Sequence, residues 1–145
     1  MRLHAKTEYA AIAVLELARQ WGADEPVRIR EIAAAQGVPS RFLVQILLQL
    51  KGAGMVTSTR GASGGYQLAR PPGEITLEDV YRVIEGPEAL VTAVTADLAG
   101  KSRGAAVVLD AWRGVAAAEA AALRSLTFAD LVERSRSATD PMYYI

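Results

Sequence analysis

The chain contains no cysteine. That absence removes disulfides, thiol catalysis and the cysteine-ligated zinc and iron–sulfur sites. Histidine is nearly as scarce, with His4 alone. One imidazole supports neither a nucleophilic triad nor a histidine metal site, and no pair of carboxylates sits in a context that suggests general acid–base work. The sequence therefore reads as non-enzymatic and free of cofactor or metal. Long apolar runs are also missing. The longest charge-free stretches, such as residues 42–50, hold nine residues, against roughly 20 for a membrane helix. Glu8 and Glu16 interrupt the N-terminal segment, so it does not read as a secretory signal. The expectation is a soluble, cytoplasmic protein without a membrane partner. A net charge is the last thing lacking: 16 Lys and Arg balance 16 Asp and Glu. Taken alone, that balance argues against a nucleic-acid partner.

What is present changes that argument. With 145 residues, 51% hydrophobic and 22% charged, the chain can bury a core as one domain, or as a small domain with an accessory element. The zero is a sum of unlike halves. Residues 1–73 hold nine basic and five acidic residues, a net of +4, and residues 74–145 hold seven and eleven, a net of −4. Within residues 28–70, Arg28, Arg30, Arg41, Lys51, Arg60 and Arg70 stand against Glu31 alone, a net of +5. Such asymmetry points to a polyanion on one half, with a solvated basic face as the plainer alternative.

Periodicity divides the chain into elements. Ala10, Val14, Leu17, Ala18 and Trp21 recur at helical spacing and predict a helix over residues 3–21, stopped by Gly22. Val27-Arg28-Ile29 is enough for one short strand. A short helix over residues 30–36 ends at Gly37. Pro39 and Ser40 open a second helix to about residue 53, with Ser40 suited to its cap. Leu43, Ile46, Leu47 and Leu50 form its apolar stripe, while Arg41, Val44, Gln45 and Gln49 lie partly off it. Helix, short glycine-containing turn, helix is the helix-turn-helix pattern. Residues 55–59 and 66–69 read as two strands around a turn that holds Arg60, Gly61, Ser63, Gly64 and Gly65, which makes a wing. Thr76 caps a helix that stops at Gly86-Pro87, residues 88–98 are a weaker helix candidate, and residues 105–125 form a long alanine-rich helix. Thr127 with Asp130 three residues on caps a last short helix, before a polar tail that ends in Met142-Tyr143-Tyr144-Ile145. The fold class is mainly α with a small β-hairpin wing.

A helix-turn-helix presents the start of its second helix to the major groove. Here those residues are Pro39, Ser40, Arg41, Val44 and Gln45. Arginine can bond guanine at two atoms, glutamine can do the same to adenine, and Val44 suits a thymine methyl. Lys51 and Arg28 or Arg30 are better placed for phosphates. In the wing, glycines let a backbone approach phosphates and Arg60 can enter a narrow minor groove. A plain hairpin needs the same glycines for positive φ. They are not a dinucleotide fingerprint, because no strand-to-helix transition surrounds them.

Tyr9-Ala10, Ile32-Ala33, Gly37-Val38-Pro39, Phe42-Leu43-Val44-Gln45-Ile46-Leu47, Leu50-Lys51-Gly52-Ala53-Gly54-Met55-Val56 and, above all, the wing from Ser58 through Arg60-Gly61-Ala62-Ser63-Gly64-Gly65-Tyr66 to Ala69 resemble the Rrf2 family of bacterial transcriptional regulators. The match continues through Ile75-Thr76-Leu77 and Glu85-Gly86, and more weakly through Trp112 and residues 126–131. The resemblance implies a winged DNA-binding domain at 1–86 and an effector or linker region with a dimerisation helix at 87–145. It implies a homodimer on double-stranded DNA at a pseudo-palindromic operator, by default a repressor. The small side chains of the long helix agree, since they let two helices approach; Leu109, Trp112, Ala116, Leu123 and Leu126 are the candidate dimer residues. Many members carry an acid where Val44 stands, so the operator need not match theirs.

Members with an iron–sulfur cluster carry three cysteines in the stretch that corresponds to residues 87–104, which has none here. Glu8 stands near an acid that some members use as an extra ligand; without cysteine partners it reads as a surface or intersubunit ion-pair residue. His4 reads as exposed near the DNA side. The signal would then be a small molecule or a protein. Trp21, Tyr81 and Trp112 are candidates to line an effector pocket between the winged domain and the long helix, with core packing as the alternative. A winged-helix interaction module without operator binding is the competing reading.

Overall fold

The computed structural model describes residues 1, 3–89 and 100–137. The helix candidate at 88–98 (beyond residue 89) and the tail at 142–145 lie outside them. The described elements are α1 (Ala5–Arg19), α2 (Ile29–Gln36), α3 (Ser40–Gly52), β1 (Val56–Thr59), β2 (Gly65–Leu68), a 3₁₀ turn (Pro72–Glu74), α4 (Leu77–Glu85), α5 (Arg103–Arg124) and α6 (Phe128–Ser137). Among the described residues no helix is long and apolar enough to cross a membrane.

Local chemistry explains the boundaries. The carboxylate of Glu31 accepts the Arg28 N–H (3.3 Å) and caps α2. Gly37 closes α2 in the left-handed region at φ 68, donating to the Ala33 carbonyl (2.9 Å). The expected short strand at Val27 reduces to a single bridge to Tyr66, because Ile29 already belongs to α2. Ser40 is not a cap. Pro39, extended at φ −60 and ψ 132, holds that position, and Ser40 is the first helical residue without a side-chain capping bond. Proline's restricted φ makes the break that a serine hydroxyl was expected to make.

The predicted stripe of α3 is the centre of the core. Leu43, Ile46, Leu47 and Leu50 are fully buried with Ala10, Ala13 and Val14 of α1, Ile32 of α2, and Ile75. Each such large side chain contributes roughly 1.5–3 kcal/mol of transfer free energy. Phe128 and Val132 of α6 belong to the same cluster, so the C-terminal helix returns to pack against α1.

Two buried carboxylates fix helices relative to one another. Glu16 accepts from Arg19 (3.1 Å), from Gln20 (3.0 Å) and, across to α2, from Gln36 (2.7 Å). Glu78 on α4 accepts from Arg124 Nη2 (3.0 Å) and Nε (3.4 Å), and Arg82 stands at 3.5 Å. With Tyr81, Ala120 and Leu123 packed beside that pair, α5 is joined to the winged unit. Its 22 residues span about 33 Å at ~1.5 Å per residue.

Candidate nucleic-acid interface

Burying one stripe of α3 decides what the other shows. Ser40, Arg41, Val44, Gln45, Leu48 and Lys51 are exposed. The start of the helix is supported from α1: the Tyr9 and Phe42 rings lie 5.6 Å apart, and the Arg41 guanidinium sits over the Phe42 ring at 4.9 Å. That contact sets Arg41 against an aromatic ring while the residue stays exposed.

The wing pairs Val56 with Leu68, Thr57 with Gln67, Ser58 with Tyr66 and Thr59 with Gly65. Its glycines answer to packing. A Cβ on Gly64 would lie 2.4 Å from the Thr59 carbonyl oxygen, and one on Gly65 would lie 2.4 Å from that of Val27. The need for glycine in the hairpin is thus met by the protein's own backbone, before any phosphate is considered. Arg28 donates from its guanidinium to the Ala62 carbonyl, which ties the wing loop to the start of α2. Between Arg28, Ile29 and Arg30 on one side and Thr59, Gly61 and Ala62 on the other runs an open groove of about 440 Å³.

Its electrostatics are one-sided. Among the described residues Arg30, Arg41, Lys51, Arg60 and Arg70 have no ion-pair partner. The one acid of this stretch, Glu31, is occupied in capping α2. Outside it, Arg19, Arg82 and Arg124 are held by carboxylates. The exposed cations of α3 and of the wing are therefore not neutralised within the described residues.

The remaining candidates fall in separate places. Trp21 lines a cavity of about 300 Å³ with Leu17, Gln20, Ala23, Val27 and Gln67 beside the wing. Tyr81 is buried against α5, and its phenol is raised above the usual range by burial and then by Glu85 and Glu119. Trp112 is 55% exposed on α5. Of the candidate dimer residues, Leu109 is buried within the chain, Leu123 packs beside Tyr81 and Ala120, and Ala116 and Leu126 are half-buried. The large apolar side chains that α5 exposes are the candidate Trp112 together with Val107, Val108 and Val115. Leu48 is also exposed on α3, a position that the sequence marks only by its place one turn after Val44.

His4 is exposed, as expected, and its Nδ1 contacts both Glu85 carboxylate oxygens (2.7 and 2.8 Å). The Thr7 hydroxyl donates to the same carboxylate. This contact first, with those from His4, holds the Glu85 carboxyl below the usual range against the opposing effect of burial. Glu8 is exposed. Among the described residues no three His, Asp or Glu side chains are grouped to hold a metal ion. With no thiolate in the chain, the donor set does not fit an iron–sulfur cluster.

Residues 3–134 match the family model of Rrf2, described as iron-dependent transcriptional regulators. A helix-turn-helix transcriptional regulator of Mycobacterium tuberculosis is 40% identical over 131 residues, 90% of this chain and 81% of that protein. The structure of CymR, the global cysteine regulator of Bacillus subtilis, superposes with a TM-score of 0.78 at 29% identity, covering 92% of this chain and 98% of that one. IscR of T. potens gives 0.75 at 31% identity, covering 95% and 90%.

Proposed function

The chain belongs to the Rrf2 family of DNA-binding transcriptional regulators, and we propose from that premise that it acts as a homodimeric repressor on a pseudo-palindromic operator, without a cluster. The observation that carries this reading is the set of unpaired cations on α3 and the wing, Arg41, Lys51 and Arg60, with Arg30 beside them. Arg41 and Gln45 read base edges, Lys51 and Arg30 meet phosphates, and Arg60 follows the minor groove from the wing. Arg28 and the wing glycines hold that wing in place. Ser40 and Ser63 add hydroxyl donors at the two contact points.

Dimerisation is supported by α5. A helix that buries Leu109 and Ala120 while exposing Val107, Val108, Trp112 and Val115 has a second apolar face that a monomer leaves in water. A twin helix is the partner that matches it, and two-fold symmetry would present two recognition helices to two half-sites. With no cluster ligands, the signal falls to a small molecule or a protein. The cavity that contains Trp21 adjoins the wing, where occupancy would alter the DNA-binding surface.

Genome-wide recovery of DNA fragments bound by the purified protein, followed by gel-shift titration on the recovered sites at two salt concentrations, tests the reading. Enrichment of one palindromic sequence, with affinity falling steeply as salt rises, is the expected result. Failure to enrich any sequence, or affinity insensitive to salt, would refute it.

A further inference from the structure

Helix α3 turns three large apolar side chains outward: Phe42, Val44 and Leu48. Phe42 is accounted for, because it packs on Tyr9 and carries the Arg41 guanidinium. Val44 and Leu48, 45% and 56% exposed, are not. They stand four residues apart, so they lie one above the other on the helix face, about 6 Å apart along its axis. Behind them runs the buried stripe of Leu43, Ile46, Leu47 and Leu50. Around them stand Arg41, Gln45 and Lys51, all exposed, and neither cation has an acidic partner among the described residues.

An apolar pair ringed by cations needs an occupant that is anionic at its edges and apolar at its centre. Duplex DNA meets both demands. Phosphates line the rims of the major groove, and its floor presents one apolar group, the C5 methyl of thymine. An aliphatic side chain pressed on any other base edge buries a donor or acceptor without a partner. The separation also sets a limit: side chains about 6 Å apart reach bases no more than two steps, about 6.8 Å of rise, apart whatever the tilt of the helix.

Resting on the DNA-binding reading above, we infer that Val44 and Leu48 together form a reader of thymine methyl groups, selecting two thymines no more than two base steps apart in each half-site. Arg41 and Gln45 then read the neighbouring base pairs by hydrogen bonds. The selection works against cytosine, which offers an amino group nearby and no methyl, as well as against uracil.

Uracil is the sharpest probe, since it deletes the methyl and leaves every hydrogen-bonding atom in place. Duplexes selected from a random library by the full-length protein would be remade with uracil at each thymine in turn. The expected result is two sensitive positions per half-site, each weakening binding about fourfold per methyl lost. Val44→Ala should abolish the penalty at one position and Leu48→Ala at the other; both side chains are exposed, and thermal melts would check that both variants fold. Binding indifferent to uracil at every position overturns the inference, as do penalties that survive in both variants. If the wild-type chain binds no duplex even at low salt, the regulator reading falls as well, an outcome distinct from uracil-indifferent binding.

Discussion

Thr76 and Thr127 face each other across an antiparallel bridge, and each caps its own helix. The Thr76 hydroxyl accepts from Asp79 N–H (3.2 Å) while the Asp79 carboxylate accepts from Thr76 N–H (2.9 Å). Thr127 and Asp130 repeat the arrangement at 3.1 and 3.2 Å. Backbone bonds from Leu77 to Leu126 (3.0 Å) and from Phe128 to Ile75 (2.9 Å) close the bridge. The first turn of α4 is thereby joined to the first turn of α6. Thr76→Ala and Thr127→Ala should each cost about 1 kcal/mol. The double variant should depart from additivity by roughly 0.5 kcal/mol or more, since the two sites share a bridge. Urea denaturation of the four proteins measures this, and strict additivity would show that the caps act separately.

The wing should tolerate no side chain where its turn enters β2. Gly64→Ala and Gly65→Ala drive a Cβ against backbone carbonyls of Thr59 and Val27, which cannot swing aside as a side chain can. Overpacking of this kind costs typically 1–3 kcal/mol, and the wing must shift to relieve it. A drop in denaturation midpoint with weaker DNA binding is expected for both. Gly100→Ala, where nothing lies within 4 Å among the described residues, serves as the control.

Arg60 and Arg41 should fail in different ways. Arg60→Ala should weaken binding to the selected site and lower its salt dependence by about one phosphate contact. Arg41→Ala should relax preference at one base position per half-site, at roughly 1–3 kcal/mol. Competition titrations against single-base variants of the site separate the two. Equal effects on every sequence from Arg41→Ala would remove it from base reading.

The exposed face of α5 should govern assembly. Trp112→Glu places a charge in the centre of the apolar face and should convert a dimer to a monomer by light scattering, with loss of operator affinity. Leu123→Ala, beside Tyr81 and Ala120, should instead lower thermal stability and leave the oligomer intact. A Trp112→Glu protein that stays dimeric would direct attention to another face.

Acid should act through Glu85 and Asp130. Both carboxyls are held below their usual range, Glu85 first by the Thr7 hydroxyl and Asp130 first by that of Thr127. A depressed folded-state pKa gives stability that is present above the unfolded value, about 4 for these groups, and lost as pH falls through the folded value. Glu85→Gln should flatten the acid side of the stability profile. An unchanged acid limb would mean that the contacts with Thr7 and His4 do not persist in solution.

Much of this was legible in the chain. The stripe of α3, the left-handed stop at Gly37, the two threonine caps and the glycine-rich hairpin are local, and each is written in neighbouring residues. Ser40 misled because two good helix-start residues adjoin and only one can be the cap. Val27 to Ile29 forms no strand because only its two ends are β-branched and the helix begins at its last residue. The aromatic residues Trp21, Tyr81 and Trp112 looked alike as possible linings, yet they stand at the wing, in the α4–α5 contact and on the outer face of α5.

By itself the sequence determined most of the described helices and the hairpin, the basic character of residues 28–70 and the absence of cysteine ligands, because periodicity, charge and donor chemistry need no partner to be read. Only the tertiary structure decided which side of α5 is spent within the chain, that Glu78 meets Arg124 46 residues away, and that Phe128 returns to the core of α1 and α3. Those outcomes depend on contacts between distant segments, and for an alanine-rich helix such as α5 two faces are apolar enough to be buried. The choice between them is made by what packs against it, here Tyr81 and the Glu78 carboxylate, and the face left over is the one that now carries the proposal of a dimer.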